Sequence, residues 1–85
     1  MHEVNYTNVD KDLKELISII GENIKSMRKE MGITQQTLAF YILTDKCVIS
    51  NIERRKCANL TIGTLMKIAN VFEVEIDVIM KKSPS

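Results

Sequence analysis

The chain has few of the residues that build reactive or metal-binding sites. Its 85 residues include one histidine, His2, and two cysteines, Cys47 and Cys57. Two cysteines without paired spacing predict neither a disulfide framework nor a zinc site. One terminal histidine provides no acid–base pair, and the three glycines form no glycine-rich phosphate loop. We therefore predict a protein that is not an enzyme and that needs no cofactor or metal.

Long apolar runs are missing as well. No segment approaches the ~18 consecutive apolar residues of a membrane span, and no signal-peptide pattern opens the sequence. These absences predict a cytoplasmic protein without membrane contact. With 45% hydrophobic and 27% charged residues, the composition is typical of one folded domain. So small a domain buries only about 60% of the surface that its unfolded chain exposes, so a partner subunit would stabilise it.

The apolar residues recur mostly at helical spacing. From Asp12 onward they step by threes and fours across 13–31, which predicts a long amphipathic helix. Gly32 is placed to end this helix as a C-terminal cap. Gly21 falls inside the apolar stripe and predicts a kink or a break in the helix.

The C-terminal half shows two further apolar segments. Residues 62–72 have helical spacing behind Thr61, a hydroxyl residue placed as an N-cap. Residues 74–79 alternate between apolar and acidic side chains, a period that by itself favours a strand.

The stretch from Gln35 to Lys56 predicts two short helices that meet at a corner. Thr34 is placed as the N-cap of the first helix, and Thr44 or Asp45 as the cap of the second. A helix, a short turn and a second helix form the helix-turn-helix arrangement. In DNA-binding proteins the second helix of this arrangement fits the major groove, where side chains reach base edges.

The charge distribution is less informative than the helical pattern. A net charge of +1 does not by itself indicate a nucleic-acid-binding protein. Between Asp45 and Lys56, however, four basic residues stand against two acidic ones. A local basic surface is therefore compatible with a nearly neutral chain, although a charge cluster is more often a solvated surface.

The pattern resembles the helix-turn-helix family of lambda-repressor/Cro-type regulators, also called the XRE family. The resemblance extends from about Ile20 to Met80, and its matching positions are Thr34-Gln35, Leu38-Ala39, Ile49-Ser50, Ile52-Glu53-Arg54, Thr64-Leu65 and Lys67-Ile68-Ala69. At two positions where the family usually has glycine this chain has other residues: Leu43 in the turn and Arg55 after the second helix.

The resemblance implies an all-α fold. The expected structure is a compact five-helix domain over residues 12–80 with an extended first helix, between a flexible N-terminal arm at 1–11 and a C-terminal tail at 81–85. Residues 74–79 are then a short fifth helix capped near Glu75, since an isolated strand would leave its backbone unpaired.

The resemblance also implies roles for individual residues. Gln35 resembles the family's phosphate anchor, with its amide and nearby backbone N–H groups as donors. Lys46 and Asn51 match base-reading positions, where lysine suits guanine and asparagine suits adenine. The predicted DNA-binding residues are Gln35, Thr44, Lys46, Cys47, Asn51, Arg54, Arg55 and Lys56, and the predicted structural ion pair is Arg28 with Glu53.

The function implied by these roles is sequence-specific regulation of transcription, with repression as the expected effect. The expected partners are double-stranded DNA with a two-fold symmetric operator and a second copy of the chain. As a stand-alone regulator, the chain resembles the small controller proteins of restriction–modification systems or phage-type repressors.

The alternative function is a protein-binding module, such as an antitoxin or an adaptor. Its contact surface would use Phe40, Tyr41 and the N-terminal helix. Because two adjacent aromatics cannot both face the same side of a helix, we expect one to be partly exposed, either packed under the N-terminal residues or placed in an interface. Leu13, Leu16 and Ile17 could equally extend the core or bind a second subunit.

Overall fold

A computed structural model describes residues 6–55 and 60–82, and these residues form five helices. The helices are α1 (Tyr6–Glu30), α2 (Gln35–Tyr41), α3 (Lys46–Glu53), α4 (Ile62–Phe72) and α5 (Ile76–Met80). The all-α, five-helix prediction is confirmed. The alternating segment at 74–79 contributes to α5 and is not a strand. No helix in the described ranges is long and apolar enough to cross a membrane.

Helix α1 is longer than the periodicity predicts and begins at Tyr6. Residues 6–11 of the predicted flexible arm are therefore helical, while residues 1–5 lie outside the described part of the chain. The helix also runs without a break through Gly21. A β-carbon at Gly21 would collide with the carbonyl oxygen of Ile52 in α3. The glycine therefore permits close approach of two helices and does not end one.

The predicted N-caps account for the starts of two helices. The Thr34 hydroxyl accepts a hydrogen bond from the backbone N–H of Thr37 at 3.0 Å, and Thr61 accepts one from Thr64 at 3.1 Å. These bonds satisfy backbone donors that the first helical turn leaves unpaired. Asp45 occupies the N-cap position of α3, but its side chain makes no capping hydrogen bond.

One apolar core holds the five helices together. Its most buried members come from every helix: Ile20, Ile24, Leu38, Ala39, Ile42, Ile49, Ile52, Leu65, Ile68, Ala69 and Ile79. Leu16 packs against this core and Ile17 is half-buried, whereas Leu13 is exposed. The N-terminal apolar residues therefore extend the core only in part.

The short helix α5 is tied to α1 by Asn23. This buried amide donates to the carbonyl oxygens of Ile79 at 2.7 Å and Lys81 at 2.6 Å. Carbonyl groups in the last turn of a helix have no partner within that helix. Asn23 therefore satisfies the end of α5 and secures it against α1.

Candidate nucleic-acid interface

The turn between α2 and α3 is made by a leucine with left-handed backbone. Leu43 has φ 58°, its N–H donates to the Phe40 carbonyl at 3.2 Å, and the Thr44 N–H donates to the Ala39 carbonyl at 2.9 Å. This pair of bonds is the Schellman pattern that ends many helices, usually with glycine at the left-handed position. Leu43 thus closes the corner at the position where the resemblance implies glycine, and α3 begins three residues later.

Helix α3 has an inner and an outer face. Ile49, Ile52 and Glu53 form the buried inner face. The outer face consists of four exposed residues: Cys47, Asn51 and Arg54 at helical spacing, and Lys46 in the first turn. Within residues 6–55 and 60–82, the side chains of these four residues make no hydrogen bond or ion pair. Thr44 lies half-buried beside them.

Glu53 is the centre of a buried hydrogen-bond network on the inner face. Arg28 donates to both carboxylate oxygens, through Nε at 2.7 Å and Nη2 at 3.0 Å. Its third nitrogen, Nη1, donates to the carbonyl oxygen of Ile33 at 2.8 Å. The two side chains are only 11% and 3% exposed. This forked ion pair fixes the C-terminal end of α3 against α1.

The Arg28 guanidinium remains charged over the physiological pH range. The hydrogen bond that Arg28 donates to the Glu53 carboxylate raises the pKa of Arg28 and outweighs desolvation, which lowers it. A cation with a raised folded-state pKa contributes its stability fully below the unfolded-state pKa and loses it as the pH rises through the folded-state value. For Arg28 that window lies in strong alkali, so no loss of this contribution is expected near neutral pH.

Gln35 belongs to the same network. Its Nε2 donates to Oε1 of Glu53 at 3.0 Å. The amide that the resemblance assigns to a DNA phosphate therefore links the start of α2 to the end of α3. A polar cleft opens beside it, lined by Arg28, Thr34, Gln35, Gln36 and Lys46 among others. Contact between Gln35 and DNA stays a prediction.

Arg54 and Arg55 differ although they are neighbours. Arg54 ends α3 on the outer face, whereas Arg55 has a left-handed backbone with φ 65° and forms an ion pair with Glu22 of α1. The sequence contains no signal for this pair, because the partners are far apart in the chain and meet only where α1 crosses α3. Lys56, the last of the predicted DNA-binding residues, lies outside the described residues.

The end of α2 exposes three large apolar side chains. Phe40 is 73% exposed, Tyr41 is 53% exposed and Leu43 is 88% exposed. The aromatic rings are 6.2 Å apart and tilted. Both aromatics are more than half exposed, so at least one is exposed as expected, and the described residues do not show either of them packed under the N-terminal helix. Leu43 was not predicted to be part of this surface, although its presence at a glycine position is a signal for it.

Comparison with known proteins places this geometry among DNA-binding regulators. A helix-turn-helix family model matches residues 24–79. A solved mutant of the restriction–modification controller protein C.Esp1396I is 41% identical, with 75% of this chain and 82% of that chain covered and a TM-score of 0.67. No curated protein sequence matches significantly.

Two more distant structures share the fold. The restriction–modification controller protein C.AhdI from Aeromonas hydrophila is 24% identical, with 80% of this chain and 97% of that chain covered and a TM-score of 0.73. The hypothetical transcription factor NHTF from Neisseria is 22% identical, with 79% of this chain and 76% of that chain covered and a TM-score of 0.75. At these identities the similarity establishes the architecture alone.

Proposed function

Because the chain belongs to the helix-turn-helix family of lambda-repressor/Cro-type regulators, we propose that it inserts α3 into the DNA major groove and represses transcription. Members of this family are DNA-binding proteins without enzymatic activity, and this chain is a DNA-binding transcription regulator. The observation that carries the proposal is the outer face of α3, whose polar side chains have no partners in the described structure, opposite a fully satisfied inner face.

The outer face offers donors and acceptors suited to base edges. Lys46 lies in the first turn of α3 and can donate to guanine, while Asn51 can both donate to and accept from adenine. Arg54 and Thr44 lie at opposite ends of α3, where they would contact phosphates on either side of the groove. Cys47 lies between the two base-reading side chains and would contact a base at short range.

The proposed regulator acts as a homodimer on a two-fold symmetric operator. The resemblance implies that the C-terminal end of the domain supplies the dimer contact. Here an apolar groove lies between α4 and α5, and its lining includes the exposed apolar side chains of Ile62 and Met66. Burying these side chains against a second copy would supply apolar contact area that this small domain lacks. Two recognition helices would then read half-sites about 34 Å apart.

The relative with 41% identity suggests the biological setting. C.Esp1396I is a restriction–modification controller, and its similarity covers three quarters of this chain. We extend the proposal to that role, in which the regulator responds to its own concentration.

Selection from a random duplex DNA pool tests the proposal. Wild type should enrich an inverted repeat, whereas a Lys46→Ala/Asn51→Ala variant should not. Lys14→Ala is the matched control, because it removes an exposed charge from α1, away from α3. Failure of wild type to enrich any sequence would contradict the regulator proposal, and enrichment by the double variant would contradict reading by α3.

A second candidate function is protein binding through the exposed surface formed by Phe40, Tyr41 and Leu43. The observation that favours it is the clustering of three large apolar side chains in solvent. A Phe40→Ser/Tyr41→Ser variant should keep the DNA selection of wild type. Loss of regulation in cells with DNA binding intact would assign this surface to a protein partner, whereas unchanged regulation would remove this candidate.

A further inference from the structure

Arg55 occupies a backbone position that favours glycine. Its φ of 65° is left-handed, a conformation that glycine adopts without strain and that residues with a β-carbon adopt at a cost. Local backbone stability therefore does not account for an arginine here. What the arginine adds is a guanidinium group, and this group donates to the carboxylate of Glu22 on α1.

The Arg55–Glu22 pair differs from the buried pair of Arg28 and Glu53 in its accessibility. The side chains of Arg55 and Glu22 are 53% and 58% exposed, so solvent and large ligands can reach both. An exposed ion pair of this kind is weak and is screened by salt. It can therefore open when a stronger partner for either side chain arrives.

The position of the pair brings it close to the proposed DNA contact. Arg55 follows directly after Arg54, which ends the outer face of α3. A carboxylate and a phosphate present similar pairs of oxygens to the forked donors of a guanidinium. Glu22 consequently holds Arg55 with the same chemistry that a phosphate of the DNA backbone would use.

We propose that Glu22 competes with a DNA phosphate for Arg55 and thereby weakens DNA binding. The inference rests on the proposed function. In the free protein the carboxylate holds the guanidinium against α1. On DNA the guanidinium exchanges this carboxylate for a phosphate, and the released negative charge of Glu22 opposes the DNA. Glu22 thus lowers affinity for any duplex, independently of its sequence.

The test is a double-mutant cycle measured on a labelled duplex of mixed sequence at about 50 mM salt, where phosphate contacts dominate binding. The four proteins are wild type, Glu22→Gln, Arg55→Ala and the double variant. Glu22→Gln should raise the affinity about two- to fivefold, and this gain should disappear in the Arg55→Ala background. Arg55→Ala alone should make the salt dependence shallower by about 0.9 in the log–log slope.

Glu15→Gln is the matched control. It removes the same charge, by the same substitution, from another exposed carboxylate of α1. Its effect on affinity should be smaller than that of Glu22→Gln and the same in the wild-type and Arg55→Ala backgrounds. Thermal melting of each variant should show an unchanged fold, since all the altered side chains are exposed.

Three results would overturn the inference. An equal gain from Glu22→Gln with and without Arg55 would reduce its effect to general charge repulsion. Weaker binding by Glu22→Gln would mean that the pair positions α3 for DNA and does not compete with it. Failure of wild type to bind any duplex would overturn the proposed function as well, whereas wild-type binding without coupling between the two positions would overturn this inference alone.

Discussion

The inner and outer faces of α3 show how one short helix divides its side chains between fold and function. On the inner face, Ile49 and Ile52 are completely buried and Glu53 accepts three hydrogen bonds from Arg28 and Gln35. On the outer face, Lys46 and Asn51 have no side-chain partner among the described residues. The orientation of the helix is therefore set from within, and its outer side chains can be replaced without disturbing that orientation.

The two ion pairs at the C-terminal end of α3 also differ, because one is buried and the other is exposed. The buried pair is forked, nearly inaccessible to water, and supported by a third residue. The pair of Arg55 and Glu22 is more than half exposed and can exchange partners. A buried pair makes the structure rigid, because breaking it leaves an uncompensated charge in the interior. An exposed pair costs little to break and can therefore respond to a ligand.

The largest expected effect comes from breaking the buried pair. Glu53→Ala should lower the free energy of unfolding by about 3–5 kcal/mol, because Arg28 is left as an uncompensated buried charge. Urea denaturation of wild type and variant measures the difference. An Arg28→Met/Glu53→Leu variant should recover much of the loss, since it removes both charges. A loss below about 1 kcal/mol for Glu53→Ala would contradict a structural role for the pair.

Gly21→Ala tests the close approach of α1 to the inner face of α3. Alanine is the better helix former by about 1 kcal/mol, yet its β-carbon would collide with the Ile52 carbonyl. We expect a net loss of about 1–3 kcal/mol in denaturant unfolding. Gly63→Ala in α4 is the control, because a β-carbon there has its nearest neighbour at 3.9 Å and should be stabilising. Equal effects of the two substitutions would argue against the helix contact.

Substitutions on the outer face of α3 should weaken DNA recognition without changing the stability of the fold. Lys46→Ala and Asn51→Ala should each remove about 1–3 kcal/mol of discrimination between the selected operator and a sequence altered at one base. Each should change the free energy of unfolding by less than about 0.5 kcal/mol, because neither side chain has a described partner to lose. Binding titrations check the change in base discrimination, and thermal melts of the same samples check the change in stability. Large destabilisation by either substitution would show that the outer face also supports the fold.

The smallest expected effect concerns the turn that leads into α3. Leu43→Gly should raise the free energy of unfolding by up to about 1 kcal/mol, since glycine relieves the left-handed backbone and the exposed leucine packs against little. The reverse change at the end of α1, Gly32→Ala, should lower the free energy of unfolding by about 1 kcal/mol. The reason is that Gly32 has a left-handed backbone with φ 73°, which alanine adopts only at a cost. Chemical denaturation of wild type, Leu43→Gly and Gly32→Ala measures the two changes in the free energy of unfolding. Destabilisation by Leu43→Gly would mean that the leucine side chain supports the corner.

Local chemistry made much of the fold predictable from the sequence. The threonine caps at Thr34 and Thr61 and the glycine end at Gly32 act through bonds within a few residues, so their positions mark helix boundaries directly. The helix-turn-helix pattern identified α3, and the resemblance decided between helix and strand at 74–79. The start of α1 at Tyr6 was missed because the first residues carry no apolar period.

The sequence by itself determined the first four helices and their order, because capping and apolar periodicity depend on neighbours along the chain. The fifth helix and the family followed from the resemblance of the sequence to known regulators. Only the tertiary structure decided why Gly21 lies in a helix, where Phe40 and Tyr41 point, and how Gln35 and Arg55 are engaged. These answers depend on the crossing of α1 with α3 and on the end of α2. Such contacts join residues distant in the chain, so no local pattern encodes the partner that each side chain meets.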